Sequence, residues 1–80
     1  MVYVYMVECR DGTLYTGWTT DLAQRVQAHN DGSGAKYTRS RRPVRLVYWE
    51  GVPDRSAALR REAALRRLPR DQKVALCGNN

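Results

Sequence analysis

The sequence predicts a small α/β domain: a three-stranded sheet flanked by helices, in the order ββαβαα. Three observations predict it. Residues 2–8 (VYVYMVE) and 44–50 (VRLVYWE) are dense in Val, Tyr and Trp, which suit a pleated and packed surface. Two helix-forming segments each follow an aspartate that can cap them, Asp21 and Asp54. The 80 residues admit one domain, spanning 1–80, with one small core.

Taken in order, residues 2–8 read as a strand covered on both faces. Asp11-Gly12 reads as a two-residue hairpin turn. Residues 13–18 (TLYTGW) then form the returning strand, in which Gly17 marks a bulge or a place where something approaches the backbone closely. Thr19-Thr20-Asp21 starts a helix over LAQRVQAHN, which stops at Asn30-Asp31-Gly32. Residues 31–43 (DGSGAKYTRSRRP) read as a loop rich in Gly, Ser and Arg. Residues 44–50 are the third strand, broken by Gly51-Val52-Pro53. Asp54 caps a second helix over RSAALRREAALRRL, ended by Pro69. A short last helix (DQKVAL) starts at Arg70 or Asp71, and Gly78-Asn79-Asn80 is expected to fray.

Composition narrows the function. The chain is 42% hydrophobic, too much for a disordered segment. Its net charge of +6 comes from 14 basic and 8 acidic residues, which favours a polyanionic partner such as nucleic acid over an acidic-patch protein. The bland alternative is a solvated arginine-rich surface, since only Lys36 and Lys73 among the basic residues are lysine. No run approaches the ~18 apolar residues of a membrane span, and Val2–Val7 has no basic region ahead of it, so a cytoplasmic location without a membrane partner is expected. Cys9 and Cys77 lie far apart in sequence, which argues against a zinc module or a disulfide framework and for reduced thiols.

Polar residues on apolar helical stripes mark candidate functional positions. In the first helix Arg25 and His29 fall on either side of the stripe Leu22 and Val26, four residues apart on one face. The alternatives are an edge arginine with a packed stem and a satisfied core histidine. In the second helix Glu62 lies within the arc of Ala58, Leu59 and Leu65. A carboxylate there needs a partner or a metal, or else forms an ordinary surface pair with Arg66 at i, i+4. Tyr3 and Tyr5 share a strand face, and Tyr15 lies on the neighbouring strand, so Tyr5 and Tyr15 are candidate cross-strand neighbours or simple core residues. Lys36, Arg39, Arg41, Arg42 and Arg45, with Tyr37 interleaved and no acid among them, fit a phosphate-tracking loop with a stacking aromatic, or a solvated charged loop.

In this order these residues resemble the GIY-YIG nuclease superfamily. The first motif stands as Tyr3-Val4-Tyr5 and the second as Tyr15-Thr16-Gly17. The helix carries R-V-Q-A-H-N (25–30), the loop G-A-K-Y-T-R (34–39) and the second helix A-L-R-R-E (58–62). The resemblance runs over residues 2 to 76. It is strongest to the stand-alone small bacterial group, then to the catalytic domain of structure-specific endonucleases that cut branched DNA, and more distantly to the incision domain of bacterial excision repair. It implies a GIY-YIG fold and a divalent-metal-dependent endonuclease using one Mg²⁺ or Mn²⁺. The substrate would be DNA, single-stranded or branched before plain duplex, in repair or recombination, with RNA as an open alternative. Carried over by position, Tyr5 and Tyr15 are the motif tyrosines. One of them, Tyr5 by preference, activates the attacking water, while the other holds the phosphate or the water network. Arg25 stabilises phosphate charge, His29 contacts the phosphate or helps the base, and Glu62 is the metal ligand. The set suits phosphodiester hydrolysis, which needs a nucleophile activator, a Lewis acid and a cation for developing charge.

Four departures from the family pattern stand out. Tyr3 replaces the first glycine, Thr16 replaces the isoleucine, and Pro69 replaces a capping Ser or Thr. The polar C-terminal residue of some members has no clear counterpart in Asn79 or Asn80. Two other functions compete: the same fold holding nucleic acid without cutting it, and a nuclease subunit that needs a protein partner. A homodimer is open.

Overall fold

The structure, a computed structural model, describes residues 1–77. Seven elements follow one another: β1 (Val2–Glu8), β2 (Leu14–Thr19), α1 (Leu22–Asp31), α2 (Lys36–Arg39), β3 (Arg45–Val52), α3 (Arg55–Arg66) and α4 (Arg70–Cys77). The expected ββαβαα order holds, with one added turn of helix, α2, inside the segment expected to be loop. The Gly78-Asn79-Asn80 tail lies outside the described residues.

The sheet is antiparallel with β1 in the middle, in the order β2-β1-β3. This explains why β1 is apolar on both faces: Val4, Tyr5, Met6 and Val7 are all buried. Tyr5 and Val7 point to one layer, packing with Cys9, Val44 and the α1 residues Leu22 and Val26. Val4 points to the other, packing with Ala58 and Leu65 of α3 and Leu76 of α4. The result is three layers, α1 on one side of the sheet and α3 with α4 on the other. Burying each large apolar side chain of β1 is worth roughly 1.5–3 kcal/mol, which makes this strand the main source of core stability.

The caps follow the sequence. Asp21 accepts a hydrogen bond from Gln24 N, Asp54 accepts one from Ala57 N, and Gly32 closes α1 at φ 91°. Three expectations need correction. The hairpin turn is a three-residue loop, Arg10 to Gly12, rather than a two-residue turn. Gly12 N–H bonds Cys9 O at 2.9 Å, Cys9 N–H bonds Thr13 O at 2.8 Å, and Gly12 sits at φ 85°. Gly17 makes no bulge, since the β1–β2 register is continuous; the irregularity lies on β3, where Val47 is skipped between Met6↔Tyr48 and Val7↔Leu46. The third strand also runs on to Val52, because the ladder with β1 continues through Tyr3↔Gly51 and Val2↔Val52. Cys9 and Cys77 are free thiols. Among the described residues no helix is long and apolar enough to cross a membrane.

Candidate active site

Tyr5 projects from the central strand into the α1 layer, opposite Gly17 of β2. A Cβ on Gly17 would lie 2.7 Å from the Tyr5 hydroxyl oxygen, so the close approach expected at this glycine is made by Tyr5 itself. The hydroxyl lies 2.8 Å from His29 Nε2, and His29 Nδ1 lies 2.8 Å from Thr38 Oγ1. Thr38 donates its only hydroxyl proton to Ala35 O at 3.0 Å. Its oxygen therefore accepts from Nδ1–H, which leaves Nε2 as the acceptor for the Tyr5 proton. Ala35 N–H also faces Nδ1, at a long 3.4 Å that this tautomer does not use. Tyr5 is 1% exposed, and His29 and Thr38 are fully buried.

The loop closes over His29 because Gly34 has no side chain: a Cβ there would meet His29 Nδ1 at 2.5 Å. Thr38, buried and bonded to both His29 and the loop, is a site residue that the sequence does not mark, although it lies within the G-A-K-Y-T-R segment. Asn30, read only as part of a turn, ties the end of α1 to the start of β3: Val44 N–H donates to its Oδ1 at 2.7 Å, and its Nδ2 donates to Val44 O at 3.0 Å.

The electrostatics hold this pair neutral at rest. Burial pushes the Tyr5 phenol well above its ordinary value. Tyr15 adds to that shift, Arg25 opposes it and Glu62 raises it further. Burial lowers His29, and the charge of Arg25 lowers it again. His29 has no exposed surface, and its ring nitrogens are partnered by Tyr5 and Thr38, so of its two expected roles the contacts match the link to Tyr5 and include no open nitrogen for a phosphate.

Tyr15 is not directly opposite Tyr5. It pairs with Val7, diagonal to Tyr5 on the same face, and its ring meets His29 edge-on with centroids 5.4 Å apart. Half-buried, it lines with Arg25 an open cleft of about 420 Å³. Glu62 arrives from the other layer, on α3. Its side chain is 18% exposed and lies 3.6 Å from Arg66, the i, i+4 pair anticipated as the bland alternative. Arg66 also donates to Thr16 O at 3.1 Å, which ties this part of α3 to the β2 edge beside Gly17. Leu59, expected on the same buried arc, is 47% exposed; the inward stripe is Ala58, Glu62 and Leu65.

Among the described residues no three His, Cys, Asp or Glu side chains cluster as a metal cage. A single partly buried carboxylate, Glu62 at 18% exposure, nevertheless suits Mg²⁺, which keeps several waters and is commonly held by one or two carboxylates plus substrate phosphates.

The basic loop divides. Lys36 and Arg39 are exposed on α2. Arg41 is committed: its Nε lies 3.2 Å from Asp11, its Nη1 donates to Tyr37 O at 2.8 Å, and its guanidinium sits 4.0 Å over the Tyr37 ring. Tyr37 is also stacked on Tyr15, at 5.8 Å. Its ring is thus already engaged, and a nucleobase stacking there has Arg41 to displace. Arg42 donates to Arg39 O and Asn30 O, at 2.9 and 3.4 Å. Arg45 pairs with Glu8 at 2.7 Å.

The fold is thus a three-layer domain with a buried Tyr5–His29–Thr38 chain, Arg25 in the cleft beside Tyr15 and Glu62 on α3. The model of the GIY-YIG catalytic domain matches residues 1–74, and the chain belongs to this nuclease family. It is 51% identical over 76 residues to a UPF0213 protein of Clostridium perfringens, covering 95% of this chain and 82% of that one. It is 54% identical over 76 residues to a UPF0213 protein of Halobacterium salinarum, covering 95% and 99%. The solution NMR structure of a UPF0213 protein from Bacillus halodurans superposes with a TM-score of 0.62 at 44% identity, covering all of this chain and 86% of that one.

Proposed function

We propose that this chain is a divalent-metal-dependent endonuclease that hydrolyses phosphodiester bonds in single-stranded or branched DNA. The observation that supports this most is the Tyr5–His29–Thr38 chain, a buried and fully partnered proton path beside Arg25 and Glu62. In a module that only held nucleic acid the same chain would serve packing alone.

In this reading the strand lies in the cleft between Tyr15 and Arg25, and Arg25 takes the charge that grows on the scissile phosphate. Tyr5 is the general base. It receives the proton of the attacking water and passes its own to His29 Nε2 across 2.8 Å. Thr38 Oγ1 holds Nδ1–H, which fixes the tautomer and keeps the ring aimed at Tyr5. Tyr15 positions the phosphate or the water. Glu62 would hold a Mg²⁺ or Mn²⁺ ion, which when bound supplies Lewis-acid charge at the leaving oxygen.

The test is cleavage of end-labelled single-stranded, duplex and branched DNA, and of single-stranded RNA, with Mg²⁺, Mn²⁺ or EDTA, beside Glu62→Gln and Tyr5→Phe. Metal-dependent cutting reduced at least ~10²-fold in both variants is expected. Binding without cutting by the wild type would overturn the enzyme in favour of the binding module. Cutting that survives in Tyr5→Phe but not in Tyr15→Phe would move the base to Tyr15. Cutting of RNA alone would replace the substrate.

A further inference from the structure

A second cleft, of about 480 Å³, lies where the β1–β2 hairpin loop meets the segment between α2 and β3, and is lined by Arg10, Arg39, Arg42, Ser40, Asn30 and Pro43. It carries three guanidinium groups and no carboxylate. The two segments are held together by Arg10 N–H, which donates to Arg41 O at 2.9 Å. Arg42 is fixed in place by the carbonyls of Arg39 and Asn30, which engage its Nε and Nη1, and among the described residues its Nη2 has no hydrogen-bonded partner. Among the described residues the Arg10 and Arg39 side chains have no hydrogen-bonded or ionic partner. The nearby acids are already committed. Asp11 accepts from Thr13 and Arg41, and Asp31 accepts from Ser33.

We infer that this cleft is a phosphate-binding subsite for the backbone of the same nucleic-acid strand, separate from the Tyr15–Arg25 cleft. Guanidinium forks match the oxygens of a phosphodiester, and a cluster of positive charge without a carboxylate is neutralised by a polyanion with release of its counterions. The inference rests on the nuclease reading and adds Arg10, from a different loop, to the residues expected to bind nucleic acid. It also separates the arginines of the basic loop by what they do, since Arg39 and Arg42 face the subsite while Arg41 braces Tyr37.

The test is fluorescence anisotropy of a labelled oligothymidylate in EDTA between about 50 and 200 mM NaCl, a range over which phosphate contacts are strongly salt-sensitive. Wild type is compared with Arg10→Gln/Arg39→Gln. A second double variant, Arg60→Gln/Arg67→Gln, removes the same charge from the outer side of α3. Both arginines of the test pair are exposed, and unchanged thermal melts confirm folding. The slope of log affinity against log salt is expected to fall by about 1.4 in the first variant, two single-strand phosphate contacts at ~0.7 each, and to stay near wild type in the second. Equal slopes in the two double variants, with wild-type cutting intact, would overturn the subsite alone. A wild type that neither binds nor cuts any nucleic acid would overturn the nuclease reading and the subsite with it.

Discussion

Replacing Gly17 by alanine adds one methyl group where the structure has room for none. The new Cβ would sit 2.7 Å from the Tyr5 hydroxyl oxygen and 2.9 Å from Cζ. Neither is the end of a flexible chain: the ring is 1% exposed and its hydroxyl is bonded to a buried histidine at 2.8 Å. Forcing the ring aside costs roughly 1–3 kcal/mol of overpacking. It also breaks the Tyr5–His29 bond and leaves a buried Nε2 without its partner, a further ~1–3 kcal/mol. Allowing for partial relief of the one by the other, a loss of about 2–4 kcal/mol is expected, read as a fall in Tm of roughly 10–25 °C for a domain of this size. The decisive assay is a double-mutant cycle with Tyr5→Phe, by urea or thermal unfolding. Phenylalanine removes the 2.7 Å contact and keeps those at 2.9 and 3.2 Å, so Gly17→Ala is expected to cost at least ~1 kcal/mol less in that background. A Gly17→Ala protein that melts within about 2 °C of wild type, or a cycle that is additive, would refute the packing described for Tyr5.

Other expectations can be checked alongside. Burial and Arg25 lower the pKa of His29, so below the ordinary value near 6.5 the unfolded chain binds a proton that the folded chain refuses. Its contribution to stability is complete above ~6.5 and is lost as pH falls from there through the folded value. Urea midpoints between about pH 7.5 and 5.5 are expected to fall in wild type and to lose part of that slope in His29→Gln. Thr38→Val leaves His29 Nδ1 unpartnered and is expected to cost ~1–3 kcal/mol and to reduce cutting, with Thr38→Ser restoring both. Asp54→Ala removes the oxygen that caps α3 at 2.8 Å; a loss of ~1 kcal/mol, about 4–8 °C in Tm, is expected without change in the cutting pattern.

Most of the fold is legible in the sequence because its elements carry local signals. β1 is a run of Val and Tyr without a polar break, and α1 and α3 start at aspartates whose side chains do cap them. What is not legible depends on partners distant in sequence. The third strand runs through Gly51 because β1 supplies the ladder, and Val47 is skipped for register, not for any property of valine. Helical periodicity finds His29 and Glu62, since a polar residue on an inward arc is a local anomaly. It also places Leu59 inside, where helix rotation against the sheet leaves it 47% exposed. Thr38 gives no such signal: on a single turn of helix no periodicity exists to mark its inward face. The arginines of the basic loop look alike in sequence. Only their partners separate Arg41, held by Asp11, from Arg39, which is open to the cleft.

The same burial that orders the Tyr5–His29 pair works against its proposed use. It raises the phenol and lowers the imidazole, so both shifts oppose moving a proton from one to the other. Arg25 acts on both with opposite consequences, favouring the phenolate and disfavouring the imidazolium, and so contributes little to the transfer itself. Glu62 is different: its charge raises Tyr5 and does not count among the influences on His29. Of the surrounding charges, it is the one whose neutralisation favours phenolate formation without a matching penalty on the histidine. Burial is the largest cause of the raised phenol and Glu62 the smallest, so compensating that charge would ease phenolate formation without overcoming burial by itself. On the proposed assignment a cation held by Glu62 would act on Tyr5 in the direction that favours the base, with Arg25 acting in the same direction on the phenol.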